Sequence, residues 1–263
     1  MRPMKLFDSH THLQDRRLSG QSQAIVVRAK RAGVKAMLVC ATAEFDWPWV
    51  SALSAQDSSL FAACGVHPWH VESLSDGWLN RLGQWLEKGA FALGEVGLDF
   101  AVQGLNRELQ ETVFRAQLGL ARELALPLSI HCRKAWGPLV SILKKEGGLS
   151  HGGAIHSFSG SVEIAFELER LGAFFSFSGS VTRKKNLKAR RAAAAISKER
   201  LLVETDTPDI LCEGAQGPFS EPAHVVEVAE ALARIREESM ENMAEATWRN
   251  ACALFQIDER QVL

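Results

Sequence analysis

The chain has 263 residues, of which 46% are hydrophobic and 23% charged, and its formal net charge at pH 7 is -1. These values are typical of a globular protein, and the length suits an α/β barrel of about 250 residues. The near-zero net charge excludes global attraction to nucleic acid or an anionic membrane, so a polyanionic substrate needs a local basic patch.

Short apolar runs recur along the chain, separated by longer stretches with helical periodicity. The runs are KLFD (5–8), VKAMLVCA (34–41), LFAACGV (60–66), FALGEVGL (91–98), LPLSIH (126–131), GAIHSF (153–158), AFFSFSG (173–179) and LLVET (201–205). One helix is predicted at 108–125, and 221–257 is expected to hold the eighth helix and an extra one. Eight βα units predict an α/β fold, the (β/α)8 TIM barrel. An open doubly wound sheet is the alternative, because periodicity does not establish closure.

Other features of the sequence indicate the number of domains and the cellular compartment. No Pro/Gly/Ser-rich linker divides the sequence, so a single domain over 1–263 is expected. Five scattered cysteines without a CxxC pair favour a reducing compartment. The N-terminal MRPMKLFDSH lacks the apolar core of a signal peptide, and no run of about 18 apolar residues follows. We therefore expect a cytoplasmic protein without membrane contact or an obligate protein partner.

Polar residues collect where the predicted strands end. In both architectures, catalytic and ligand-binding residues lie at the carboxyl ends of the strands. The polar residues are Asp8, His10 and His12 on the first strand, His67 after the third, Glu95 on the fourth, His131 and Arg133 on the fifth, His156 on the sixth, and Glu204 and Asp206 on the eighth. Strand side chains alternate, so Asp8, His10 and His12 are expected on one face. Separately buried ionisable groups would each need a partner, whereas one metal centre satisfies them together.

The candidate ligands indicate the kind of metal centre. They are His10, His12, Glu95, His131, His156 and Asp206. Four imidazoles and two carboxylates exceed the set expected for one catalytic zinc and suit two ions about 3.5–4 Å apart. Glu95 lies between the two ligand groups and is the expected bridge. Zn, Mn or Fe fits these donors, and Mg is less natural for imidazole but not excluded. The expected chemistry is metal-assisted hydrolysis by activated water.

In order along the chain, several segments resemble the TatD family of metal-dependent deoxyribonucleases, a branch of the amidohydrolase-like TIM barrels. They are DSHTHL (8–13), CGVHPW (64–69), LGEVGLDF (93–100), ARELALPLSIHCR (121–133), IHSFSGS (155–161), FSFSGSVT (175–182) and RLLVETDTPDI (200–210). Each motif alone is weak, but the ordered set is specific. The resemblance spans roughly residues 5–255.

The resemblance implies a role for each candidate residue. His10, His12 and Asp206 would hold one ion, His131 and His156 the second, with Glu95 between them; Asp206 would also orient and deprotonate the attacking water, and His67 and Arg133 would face the scissile phosphate. Asp8 is expected to orient a histidine ligand. Family members typically remove nucleotides from DNA ends, often from 3′ to 5′.

The chain departs from the family at its substrate loops. Many members carry an Arg-Asn pair before Glu-Pro after strand 8, whereas this chain reads GPFSEP at 217–222. The basic run TRKKNLKARR (182–191) follows strand 7, where such barrels often hold phosphate. Arg183 and Lys184 are therefore expected to bind substrate, although most of the run fits a solvated helix face.

Aromatic residues after the catalytic strands are candidates for stacking on bases. They are Trp69, Trp136 and Phe158, and packing of the loops is the alternative for each.

Three functions are compatible with these observations. The leading one is exonucleolytic phosphodiester hydrolysis of DNA, at single-stranded or frayed ends. The second is hydrolysis of C–N or carboxylic ester bonds, amidohydrolase-like or D-aminoacyl-tRNA deacylase-like, which gains if Arg133 and Arg183 point away from the metals. The third is a metal-stabilised scaffold or partner-binding protein without turnover.

Overall fold

The computed structural model describes residues 4–259 and 262, and its centre is one sheet of eight parallel strands in sequential order. The strands are β1 (Leu6–Thr11), β2 (Val34–Cys40), β3 (Leu60–Cys64), β4 (Ala92–Asp99), β5 (Leu128–Arg133), β6 (Gly153–Ile155), β7 (Ala173–Phe177) and β8 (Leu201–Val203). Each of the eight apolar runs overlaps one of these strands, because strands covered on both faces read as continuous apolar stretches.

Helices alternate with the strands. They are α1 (Ser22–Arg31), α2 (Trp47–Gln56), α3 (Trp78–Leu86), α4 (Arg107–Glu123), α5 (Trp136–Lys145), α6 (Val162–Arg170), α7 (Leu187–Ala195), α8 (Val225–Arg236) and α9 (Met240–Leu254). The helix predicted at 108–125 is α4, and its N-terminus is capped by the side chain of Asn106, which accepts from the N–H of Leu109. The helix and extra helix predicted within 221–257 are α8 and α9.

The last strand returns to the first, so the sheet closes into a barrel. A parallel bridge joins Thr11 to Thr207. The N–H of His12 donates to the Thr207 carbonyl at 2.8 Å, and the N–H of Asp206 donates to the His10 carbonyl at 3.0 Å. The (β/α)8 barrel is therefore confirmed, and the open sheet is excluded.

Helix α9 closes the amino-terminal end of the barrel. Phe7 and Phe61, near the starts of β1 and β3, share one buried cluster with Trp248 and Phe255 of the α9 region. The rings of Phe7 and Phe255 lie 5.7 Å apart. This packed end leaves only the carboxyl end of the strands open for chemistry.

No helix within the described residues is long and apolar enough to cross a membrane. The prediction of one domain over 1–263 extends to residues 1–3, 260, 261 and 263, which lie outside the described residues, as does the start of the N-terminal segment.

Candidate metal centre

Two histidines of the β1 end form the first group of donor atoms. The Nε2 atoms of His10 and His12 lie 3.1 Å apart. Oε2 of Glu95 lies 3.4 Å from each of them. Oδ1 of Asp206 lies 3.9 Å from His10 Nε2 and 3.5 Å from His12 Nε2. Four of the predicted ligands thus converge on one point at the seam between β1 and β8.

The second group surrounds the other carboxylate oxygen of Glu95. Oε1 lies 2.9 Å from Nε2 of His156 and 3.0 Å from Nδ1 of His131. The two imidazole nitrogens are themselves 3.0 Å apart. The structure therefore brings all six candidate ligands together, with the two oxygens of Glu95 facing separate groups.

The spacing of these donors fits a metal ion in each group. Ligands 2.0–2.1 Å from a tetrahedral zinc lie about 3.3 Å from one another, close to the separations found here. The side chains of His10, Glu95, His131 and His156 are all buried. Lone pairs that face one another in a buried site favour a cation between them.

Outer hydrogen bonds orient the histidines for this purpose. His12 Nδ1 lies 2.7 Å from the carbonyl of Cys40. That oxygen only accepts, so Nδ1 carries the ring proton and Nε2 presents its lone pair. His10 Nδ1 meets the Ser129 hydroxyl at 2.9 Å, across the barrel interior.

Two carboxylates outside the candidate ligand set lie beside the other two histidines. Asp99 Oδ2 lies 3.2 Å from Nε2 of His131, within hydrogen-bond distance. Glu204 Oε1 lies 3.4 Å from Nδ1 of His156 without a hydrogen bond to it, and accepts from the N–H of Ser157 at 2.7 Å. Such carboxylate–histidine pairs fix the ring and increase its basicity. Each carboxylate lies at the end of its strand within a motif already noted, and this position was the available signal.

His67 differs from the four candidate ligand histidines because its nitrogen that faces Glu95 carries a proton. Its Nδ1 accepts a hydrogen bond from the backbone N–H of Trp69 at 3.2 Å. In the neutral ring the proton therefore sits on Nε2, which lies 3.5 Å from Oε1 of Glu95. His67 thus offers the site a hydrogen-bond donor instead of a ligand lone pair.

Charge coupling keeps the carboxylates ionised. Burial raises the pKa of Glu95, but the charges of His156, His67 and His10 outweigh burial and hold it well below the usual range. Burial lowers the pKa of His12, but the hydrogen bond with Asp206 and the charge of Glu95 raise it to about 9. Without a cation His12 therefore carries a second proton at neutral pH, and a cation bound at Nε2 would displace that proton.

Close strand packing aligns β4 with β5 at this point. Gly97 pairs with His131 and has a φ of +136°, and a Cβ atom there would lie only 2.0 Å from the His131 carbonyl oxygen. Only glycine fits this approach, so the second glycine of GEVGLD allows His131 to lie beside Glu95.

The end of β1 departs from strict alternation. Its register with β2 shifts between Asp8 and Thr11. Ser9 reaches Ser176 of β7 at 2.7 Å while its neighbour His10 also points into the barrel. Asp8 was expected to orient a histidine ring, but its carboxylate instead accepts from the N–H and hydroxyl of Thr205, at 2.9 and 2.6 Å. Asp8 therefore fixes the end of β8.

The two arginines expected at the substrate lie in different surroundings. Nη1 of Arg133 lies 3.5 Å from Oδ2 of Asp99, beside His131, and its side chain is 55% exposed. Arg183 donates to the carbonyl of Leu211 at 3.2 Å and contacts none of the candidate ligands. Its role in substrate binding stays a prediction.

An open cavity of about 610 Å³ lies above the donor groups. Its basic residues are Arg16 and Arg17 from the β1 loop, which sequence reasoning missed. Of the aromatic candidates, Trp69 lines the cavity, whereas Phe158 is buried against Phe175. Phe158 as a base-stacking residue was therefore wrong.

A closed (β/α)8 barrel whose strand ends unite histidines and carboxylates around a shared glutamate defines the class of metal-dependent hydrolases. A family model described as TatD related DNase matches residues 7–256. This chain belongs to the TatD family.

Individual relatives agree with this assignment. The Bacillus subtilis (strain 168) protein YabD, named as an uncharacterized metal-dependent hydrolase, is 34% identical over 96% of this chain and 100% of its own length. A Klebsiella pneumoniae (strain 342) protein named 3′-5′ ssDNA/RNA exonuclease TatD is 32% identical over 96% of this chain and 98% of its own. The crystal structure of YjjV, a TatD homologue from Escherichia coli K12, matches with a TM-score of 0.92 at 33% identity, covering 96% of this chain and 98% of that one.

Proposed function

We propose that this protein is a binuclear metal-dependent phosphodiesterase that removes nucleotides from the 3′ end of single-stranded DNA. The observation that carries the proposal is the carboxylate of Glu95, whose two oxygens face two separate groups of nitrogen and oxygen donors. The relative named as a 3′-5′ exonuclease supports the polarity and the single-stranded substrate.

In this proposal the predicted residues divide between two divalent ions, Zn, Mn or Mg. His10, His12 and Asp206 would hold one ion and His131 and His156 the other, and Glu95 would offer one oxygen to each. Such ions favour ionisation of a water molecule near neutral pH and offset charge that develops on the phosphoryl group.

Protein groups then supply proton transfer and positioning. Asp206 takes the proton of the attacking water in this proposal. Burial raises its pKa, but the His12 hydrogen bond and the charges of His156 and His10 hold it below its usual range, so the carboxylate is ionised. The ionised carboxylate can accept a proton from a water whose acidity a bound ion would increase. The φ of Asp206, +52°, is in the left-handed region, and its backbone N–H is fixed on His10. The Nε2–H of His67 donates to a phosphoryl oxygen, and Arg133 approaches the same group from beside Asp99.

Unpaired thiols support the expected compartment. All five cysteines are buried and free, as in proteins of reducing environments. We propose a cytoplasmic location on this ground.

One observation favours a second candidate function. Arg183, expected at the phosphate, contacts Leu211 instead of the donor groups. Fewer phosphate-directed cations would suit hydrolysis of a C–N or carboxylic ester bond, such as that of a D-aminoacyl-tRNA, because the same donor groups can serve attack on a carbonyl carbon.

An assay with end-labelled substrates separates these functions. Metal-reconstituted protein should shorten a 5′-labelled single strand progressively and release a labelled mononucleotide at once from a 3′-labelled strand. Duplex DNA, RNA and aminoacyl esters complete the panel. Turnover of aminoacyl esters without cleavage of any oligonucleotide would replace the first function with the second.

A further inference from the structure

Exposed aromatic side chains concentrate at the cavity above the metal centre. Among the described residues, aromatic side chains counted as exposed occur at Phe45, Trp49, Trp69 and Phe166, with 56%, 47%, 49% and 41% exposure. The first three line this cavity. Apolar surface gathered in one cavity marks a site for a ligand with apolar faces.

Trp69 is held in a fixed orientation beside the donor groups. Its indole Nε1–H donates to Oδ2 of Asp99 at 2.9 Å. Its ring meets that of His67 edge-on, with centroids 4.8 Å apart. A rigid aromatic face next to a phosphate site suits the base of the adjoining nucleotide.

Phe45 and Trp49 extend the aromatic surface outward from the loop after β2 and the first turn of α2. The ring of Phe45 packs edge-on against His70, with centroids 5.8 Å apart. Within the described residues, no ring contact or side-chain hydrogen bond joins Phe45 or Trp49 to a candidate metal ligand. Three aromatic residues provide more stacking surface than one base needs, which fits a strand of several nucleotides.

The charged residues of the same cavity suit an anionic strand. Arg17 is neutralised by Asp15 at 2.7 Å and by Asp209 at 2.6 Å. Arg16 also lines the cavity, and the described part of the chain provides no carboxylate within ion-pair distance of it. Its guanidinium is therefore available to a backbone phosphate.

We propose that Phe45, Trp49 and Trp69 form a stacking platform for successive bases at the 3′ end of a single-stranded substrate, with Arg16 contacting the backbone. This inference rests on the proposed function and deepens it. Every base has a π-face, so the platform would give affinity with little sequence preference. The GPFSEP segment (217–222), where many family members carry an Arg-Asn pair, is not among the residues that line this cavity.

The test compares two single-stranded oligonucleotides that differ only in the two 3′-terminal bases. One carries thymines there, and the other carries abasic tetrahydrofuran residues. Loss of one stacked base corresponds to about a 5- to 150-fold change in KM. The KM of wild type for the abasic strand should therefore be at least about 5-fold higher than its KM for the thymine strand. Trp49→Ala and Phe45→Ala should each bring the ratio of these two KM values closer to one. Trp49→Phe, which keeps a ring, should retain most of the wild-type preference for the thymine strand.

Phe166→Ala is the matched control, because it removes another exposed ring, 41% exposed, from α6 and outside the cavity. It should keep the wild-type preference. Circular dichroism should show an unchanged fold for every variant, since the truncated rings are half exposed.

Two failures are distinguishable. If wild type cleaves both strands and the alanine variants keep its preference, the platform is rejected while the proposed function stands. If metal-loaded wild type cleaves neither strand, the proposed function is rejected and the platform with it.

Discussion

Replacing Glu95 with glutamine tests whether one carboxylate organises two metal ions. The side chain is 3% exposed, and its two oxygens lie 2.9–3.5 Å from imidazole nitrogens of five histidines. Glutamine keeps the shape but removes the charge and converts one acceptor into an N–H₂ donor. That donor would face the lone pairs of one histidine pair, and the amide oxygen would serve only the other.

The expected loss follows from these contacts. Removing a partner that only hydrogen bonds to a metal ligand typically lowers metal affinity 10–100-fold. Glu95 lies directly between both donor groups, so its substitution should have a larger effect. We expect the affinity for at least one ion to fall by more than about 100-fold. Phosphodiesterase activity should fall at least as far, because both ions contribute charge to one reaction.

Metal content after chelation, reconstitution and gel filtration measures this loss. Wild type should retain two ions per chain, and Glu95→Gln should retain one or none at a metal concentration that saturates wild type. Glu111→Gln is the matched control, since Glu111 is a surface residue paired with Arg115 on α4. Two ions bound with unchanged affinity in Glu95→Gln would refute the bridging role.

Three further outcomes are expected. Asp206→Asn should lower kcat by about 10²- to 10⁴-fold, the usual contribution of a general base, with an unchanged circular dichroism spectrum; near-wild-type turnover would reject its role in proton transfer. Asp99→Asn should weaken the ion beside His131 by about 10–100-fold in a calorimetric titration, and equal affinity would show that this carboxylate only fixes Trp69. Burial raises the pKa of Cys64, Cys212 and Cys252 to about 12. In the native protein these thiols should therefore react with a disulfide reagent about 10³-fold more slowly at pH 8 than an ordinary cysteine. Rapid reaction before guanidinium is added would contradict their burial.

The barrel and its six donors were predictable because both follow from short-range rules. Buried parallel strands read as continuous apolar runs, and a barrel brings its chemistry to the carboxyl ends of the strands. His131 and His156 lie on neighbouring strands, so the fold alone places them together. Glu95 lies on β4, between these two strands and the β1 histidines, and this position made it the expected bridge.

What sequence reasoning missed depends on contacts between distant segments. Alternation along β1 could not reveal a register shift that turns both Ser9 and His10 inward. Arg17 reaches the cavity through its pairing with Asp209, a residue 192 positions away. Arg183 was expected beside the phosphate because of its position after β7, yet its guanidinium is engaged by the Leu211 carbonyl. Side-chain direction in loops is set by such partners and leaves no periodic signal.

The two donor groups also differ in how they depend on the fold. The first combines His10 and His12 of β1 with Asp206, so it exists only where the barrel closes and the Asp206 N–H reaches the His10 carbonyl. The second needs only the neighbouring strands β4 to β6. Glu95 couples them, because each of its oxygens belongs to one group. A cation in the first group therefore favours closure of the barrel, since ligands that bind only the closed arrangement stabilise it, and the same carboxylate then presents its second oxygen to His131 and His156.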